Sequence, residues 1–133
     1  MRVLIVDDSA VFRAVLSQCV ERVKGLEVAG TARNGMQAIE MVRKDPPDLV
    51  LLDIAMPRMD GIATLKEIRK DYPDLGVILV SSANAKGLEG RPDAADLGQF
   101  EYIQKPTVTA GESGVETLAP MIERAARALT RAR

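Results

Sequence analysis

Two hydrophobic periods alternate along the chain, and this alternation limits its fold more than any other feature. Short apolar runs at RVLIV (Arg2 to Val6), LEVAG (Leu26 to Gly30), LVLLD (Leu49 to Asp53), GVILV (Gly76 to Val80) and FEYI (Phe100 to Ile103) have the length and β-branched content of strands. Between them apolar residues recur at helical spacing: Val11, Val15, Leu16, Cys19, Val20 and Val23 are expected on one face, then Ala38, Ile39 and Val42, then Ile62, Leu65 and Ile68. The last such segment carries Val115, Leu118, Ile122, Ala125, Ala126 and Leu129. The first, third and fourth runs are apolar throughout, so both of their faces need cover. Strand and helix in alternation join parallel strands through crossover helices. The pattern therefore predicts an α/β fold, a five-stranded doubly wound parallel sheet with helices on both faces. A length of 133 residues makes this one domain over 1–133, with a final helix at about 114–131. Ser9 is a good N-cap for the first helix, and the prolines of DPPD (Asp45 to Asp48) and DYPD (Asp71 to Asp74) close the second and third.

Composition removes several classes of function. A formal net charge of -1 leaves no Lys/Arg excess for a phosphate backbone, so nucleic acid is not expected as a direct partner. No stretch approaches the ~20 apolar residues of a membrane span, and Met1-Arg2-Val3 runs straight into a strand pattern without a signal-peptide layout. The predicted location is cytoplasmic, with no membrane partner. Cys19 is the single cysteine and histidine is absent, which excludes a disulfide framework, a zinc finger and a Ser-His-Asp triad within these residues.

Ligands of such a sheet gather outside the carboxyl ends of the strands, where strand order reverses. At those ends lie Asp7 and Asp8 after the first strand, Asp53 on the third, Ser81 and Ser82 after the fourth, and Lys105 past the fifth. Three carboxylates in one cleft repel, and one takes up a proton unless a cation sits among them. An all-oxygen donor set without His or Cys favours a hard ion such as Mg2+. The chemistry that fits is phosphoryl transfer to a carboxylate. Asp53 is the candidate nucleophile, Mg2+ and Lys105 neutralise the transferred oxygens, and the Ser81 hydroxyl donates to one of them.

The stretches VLIVDDS, DLVLLDIAMPRMDG, ILVSSA and YIQKP, in this order and spacing, closely resemble the receiver domain of two-component response regulators, a flavodoxin-like fold. The resemblance implies that Asp8 binds the metal directly, Asp7 binds it through water and the Ala55 carbonyl is a further ligand beside Asp53. It implies Asp53 as phosphoacceptor, Ser81 and Tyr102 as switch residues, Lys105 as the phosphate-binding lysine, and a cis Lys105-Pro106 bond. DSAVFRAVL, MPRMDGI and VSSANAKG are most like the regulatory half of chemotaxis protein-glutamate methylesterases. The implied partners are a sensor histidine kinase as phosphodonor and an effector domain or partner protein. Without histidine the chain cannot carry the esterase triad itself, so the output domain is expected elsewhere. The alternative is a stand-alone response regulator acting by protein-protein contact.

Plainer readings compete at several positions. Asp60-Gly61 reads as a turn into the third helix, Tyr102 equally as an edge-strand aromatic, Cys19 as core, and the methionines as gap-fillers. A haloacid-dehalogenase-like phosphatase also uses a strand-end aspartate with Mg2+, but Ala55 stands where its second acid belongs. A nucleotide-binding domain needs a glycine-rich turn after the first strand, and DDSAVF has none. A pure interaction module has no need of the acid cluster. The segment AKGLEGRPDAADLG (Ala85 to Gly98) departs from the receiver pattern, and its helix is expected to be short and to start near Pro92.

Overall fold

Five strands, β1 (Arg2–Val6), β2 (Glu27–Ala32), β3 (Leu49–Asp53), β4 (Gly76–Ser81) and β5 (Glu101–Gln104), form one parallel sheet in the order β2-β1-β3-β4-β5. They are joined by α1 (Ala10–Arg22), α2 (Gly35–Lys44) and α3 (Gly61–Asp71), and α4 (Glu112–Arg131) follows β5. The structure is a computed structural model describing residues 1–82, 97–105 and 112–131. The helix expected near Pro92 and the Lys105-Pro106 peptide lie outside the described residues.

Alternation along the central strands divides the core in two. Val3 and Ile5 of β1, Leu49 and Leu51 of β3, and Ile78 and Val80 of β4 pack against α1 and α4. Leu4, Val6, Val50, Leu52, Val77 and Leu79 pack on the opposite face, against α2 and α3. All of these are at most 3% exposed, and each contributes roughly 1.5–3 kcal/mol of transfer free energy. The helices end as anticipated. Ser9 accepts from the Phe12 N–H at 3.2 Å to cap α1, Asp60 caps α3, and α2 and α3 stop one residue before Asp45 and Tyr72, just short of the prolines.

Several expectations need correction. Val11 is 64% exposed, and Phe12, at 5%, takes the inward place on α1. The buried stripe of that helix, Phe12, Val15, Leu16, Cys19 and Val20, follows the three-and-four spacing, from which Val11 is offset by about 100°. Strand β2 runs Glu27–Ala32, shifted from Leu26 to Gly30, and β5 runs Glu101–Gln104, one residue later than expected. Helix α4 starts at Glu112 and encloses Pro120. Met36 is 59% exposed and fills no gap. Cys19 is core as expected, and burial pushes its thiol up to about 11.

Arg69 is a buried cation that the sequence did not announce. From α3 its guanidinium donates to four main-chain carbonyls, those of Leu97 (2.7 Å), Leu75 (2.6 Å), Tyr72 (3.3 Å) and Gln99 (2.6 Å), strapping the segment before β5 to the end of the helix. Among the described residues no helix is long and apolar enough to cross a membrane.

Candidate functional site

Each candidate side chain is delivered by a strand end. Asp7 follows β1 and its N–H still bonds the Ala32 carbonyl at 3.1 Å, making it the last residue held by the sheet. Its Oδ1 accepts from the Ser9 N–H at 2.9 Å, and Arg13 Nη1 donates to its main-chain carbonyl at 2.8 Å. These bonds fix the turn so that Asp7 is fully buried while Asp8 is exposed.

Asp53 ends β3 and is 2% exposed. Beyond it the Ile54 N–H bonds the Val80 carbonyl at 3.1 Å, and the Gly61 N–H bonds the Ile54 carbonyl at 2.9 Å. The loop between reverses tightly. The Met56 N–H bonds the Ile54 carbonyl at 3.1 Å, and the Met59 N–H bonds the Pro57 carbonyl at 2.8 Å around Arg58, whose φ is 67°. A Cβ at Gly61 would overlap the Asp53 carbonyl oxygen and stand 2.8 Å from the Ile54 Cα, so only glycine lets α3 begin this close to the strand end. Ala55 lies exposed in this loop, two residues past Asp53.

Ser81 ends β4, is 3% exposed, and its carbonyl accepts from the Lys105 N–H at 2.7 Å, tying the two strand ends together. The Lys105 ammonium reaches back across the sheet to within 3.0 Å of Asp7 Oδ2 and 3.4 Å of Asp53 Oδ1. It also lies 4.0 Å from the centroid of the Phe12 ring. Tyr102 sits elsewhere, paired with Leu79 in the β4–β5 register and half-buried beside the α2–α3 half of the core.

The acids form a real cluster. Asp7, Asp8 and Asp53 each present a carboxylate oxygen within 4.8 Å of the other two. Burial, and after it the negative charge of Asp7, push the Asp53 carboxyl up to about 6 against the opposing pull of Lys105 and the Ala55 N–H. Asp53 Oδ1 is buried and has no hydrogen-bond partner among the described residues, its contact with Lys105 being charge proximity. After Lys105 is counted, three carboxylates leave about two negative charges on an all-oxygen donor set, which fits a small hard divalent cation. A cleft of about 500 Å³ lined by Asp8, Asn34, Gly35, Met36, Arg58 and Met59, among others, opens on the exposed side of the cluster.

Two contributors escaped the sequence reading. Arg13 holds the Asp7 carbonyl and Phe12 faces the Lys105 ammonium. Helical spacing counted from Val23 back through Val20, Leu16 and Val15 reaches Phe12, so its burial was there to be read.

Comparison with known proteins agrees with this geometry. Residues 3–112 match the family model for the response regulator receiver domain. The protein-glutamate methylesterase/protein-glutamine glutaminase of Pyrococcus abyssi is 46% identical over 107 residues, which are 80% of this chain and 29% of that protein. The chain therefore spans well under half the length of this relative. Among solved structures, the response regulator domain of Thermotoga maritima CheB is 34% identical with a TM-score of 0.80, covering 98% of this chain and 96% of that one. A chain of the CheX-CheY-BeF3-Mg+2 complex from Borrelia burgdorferi is 29% identical with a TM-score of 0.72, covering 92% of this chain and 87% of that one. Receiver domains generally bind Mg2+ through acidic residues and are phosphorylated by histidine kinases. The chain belongs to the response regulator receiver domain family, in which accepting a phosphoryl group is the general function.

Proposed function

We propose that Asp53 is the phosphoacceptor of this receiver, with Lys105 and Ser81 completing the site and Asp7, Asp8, Asp53 and the Ala55 carbonyl holding Mg2+. The observation that carries this reading is Asp53 Oδ1, a buried carboxylate oxygen without a hydrogen bond among the described residues, at the end of a central strand and 3.4 Å from an ammonium. A carboxylate oxygen of Asp53 attacks the donor phosphorus, and the bond from phosphorus to the leaving group breaks with its electron pair going to that group. Mg2+, when bound, supplies positive charge to the transferred oxygens. Lys105 neutralises a further oxygen and keeps Asp7 paired, while the rigid strand ends hold the reacting groups in line. Ser81, buried at the adjacent strand end, is the donor that turns toward the phosphoryl group, and Tyr102, which pairs with Leu79 two residues before it on β4, responds on the face of β4 and β5.

The phosphodonor of this reading is a histidine kinase, and the location is cytoplasmic. Similarity to protein-glutamate methylesterases over 80% of this chain supports control of such an esterase as the output, with residues 1–133 as one regulatory domain. The test is intact mass spectrometry after incubation with acetyl phosphate, with and without Mg2+. One phosphoryl addition is expected, only with Mg2+ and absent in Asp53→Asn. Equal labelling of Asp53→Asn would overturn the assignment.

A further inference from the structure

We propose that Phe12 is a positioning residue for phosphoryl transfer, its ring serving as the seat against which the Lys105 ammonium is held between Asp7 and Asp53. This rests on the phosphoacceptor reading above. Lys105 Nζ has an anion at 3.0 Å, a second at 3.4 Å and the ring centroid at 4.0 Å, and its side chain is 13% exposed. An ammonium directs its three N–H groups outward from one nitrogen, so a side not met by a carboxylate ordinarily faces water. Here an aromatic face occupies such a side. The ring quadrupole attracts the cation, and the ring body keeps water from competing with the carboxylates for it.

The ring cannot easily move away. Phe12 is 5% exposed, and it lies in the first turn of α1, where its N–H donates to Ser9 Oγ at 3.2 Å. The same turn carries Arg13, whose guanidinium bonds the Asp7 carbonyl at 2.8 Å. One helical turn thus locates both the acid that pairs Lys105 and the ring that backs it. Lysine is a flexible stem with a point charge at its tip, and without such a backing it loses rotamer freedom whenever it is placed. Positioning of this kind changes the rate of transfer and leaves cation binding at the acids as it was.

A ring that merely fills the core would be replaceable by an aliphatic side chain of similar size. The test compares Phe12→Met and Phe12→Leu with Phe12→Tyr, using acetyl phosphate as donor, Mg2+ affinity by calorimetry, and the NMR shift of the Lys105 ε-protons, which the ring should shield. We expect phosphorylation about three- to tenfold slower in the aliphatic variants, recovered in Phe12→Tyr, with unchanged Mg2+ affinity and with the shielding lost and regained in step. Wild-type rates in both aliphatic variants, an equal loss in Phe12→Tyr, or a proportionate fall in Mg2+ affinity would overturn the proposal. Absence of labelling on wild-type Asp53 would instead remove the phosphoacceptor reading on which it stands.

Discussion

Gly61 at the start of α3 abuts the main-chain carbonyl of Asp53 so closely that any side chain there would occupy the space of its oxygen. The neighbours that would have to yield are backbone atoms of Asp53 and Ile54, which have no rotamer to escape into. Gly61→Ala should therefore lower stability by about 2–3 kcal/mol. Displacement of the acceptor carboxylate should also slow phosphorylation at least tenfold, since misplacement by about 1 Å can cost 10²-fold. Urea unfolding and acetyl phosphate labelling measure the two effects, and a variant with native stability and rate would contradict the close approach.

The Asp53 carboxyl gives a pH signature. It titrates at about 6 in the folded protein and at about 4 in an unfolded chain. The folded state binds the proton more tightly, so the stability this group contributes is full below about pH 4 and is lost as pH rises through about 6. In metal-free buffer, Asp53→Asn should gain on wild type by about 2–3 kcal/mol between pH 4 and pH 7, and Mg2+ should narrow that gap at pH 7. Paired urea titrations check it. A gap that is constant with pH would contradict the raised value.

Arg69 should behave as a structural cation. Replacing it with methionine keeps much of the volume but strips donors from the carbonyls of Leu75, Leu97 and Gln99. The expected loss is about 3 kcal/mol. Arg69→Lys should recover less than half of it, because a point charge cannot reach several carbonyls as a planar fork does. Chemical denaturation of the two variants separates charge from geometry.

Pro120 sits well inside α4 on an exposed position and has no N–H to give to the carbonyl of Glu116. Pro120→Ala should raise stability by about 1–3 kcal/mol. Unchanged or reduced stability would contradict a cost of proline at this position.

How far the fold and site could be read in advance follows from the kind of signal each carries. Strands β1 and β3 run from Arg2 to Val6 and from Leu49 to Asp53, as the apolar runs indicated, because in them burial is nearly continuous. The edge strand β2 slipped because its exposed and half-buried residues alternate from Glu27 to Thr31, so the LEVAG run does not mark its ends. The convergence of Asp7, Asp8, Asp53 and Lys105 was legible because strand ends in a parallel sheet share one side. The partners of Arg69 were not. They are main-chain carbonyls, which every residue has, so only the folded path of the chain singles out Leu97 and Gln99.

The Arg69 strap has a mechanical consequence for the site. Starting at Asp53, the backbone contact with Gly61 leads into α3, and about 12 Å along that helix Arg69 grips Leu97 and Gln99. From there β5 runs back to Lys105, whose ammonium returns to Asp53 at 3.4 Å. The circuit is a closed linkage with one rod, one coupling and one return arm. In such a linkage the spacing between the Asp53 and Lys105 backbones is a gauge length set by the whole frame. Prying the Asp53 and Lys105 backbones apart along this path means bending α3, stretching the coupling at Arg69 or shifting β5 along its neighbour, while the Lys105 side chain keeps its own rotations inside the frame.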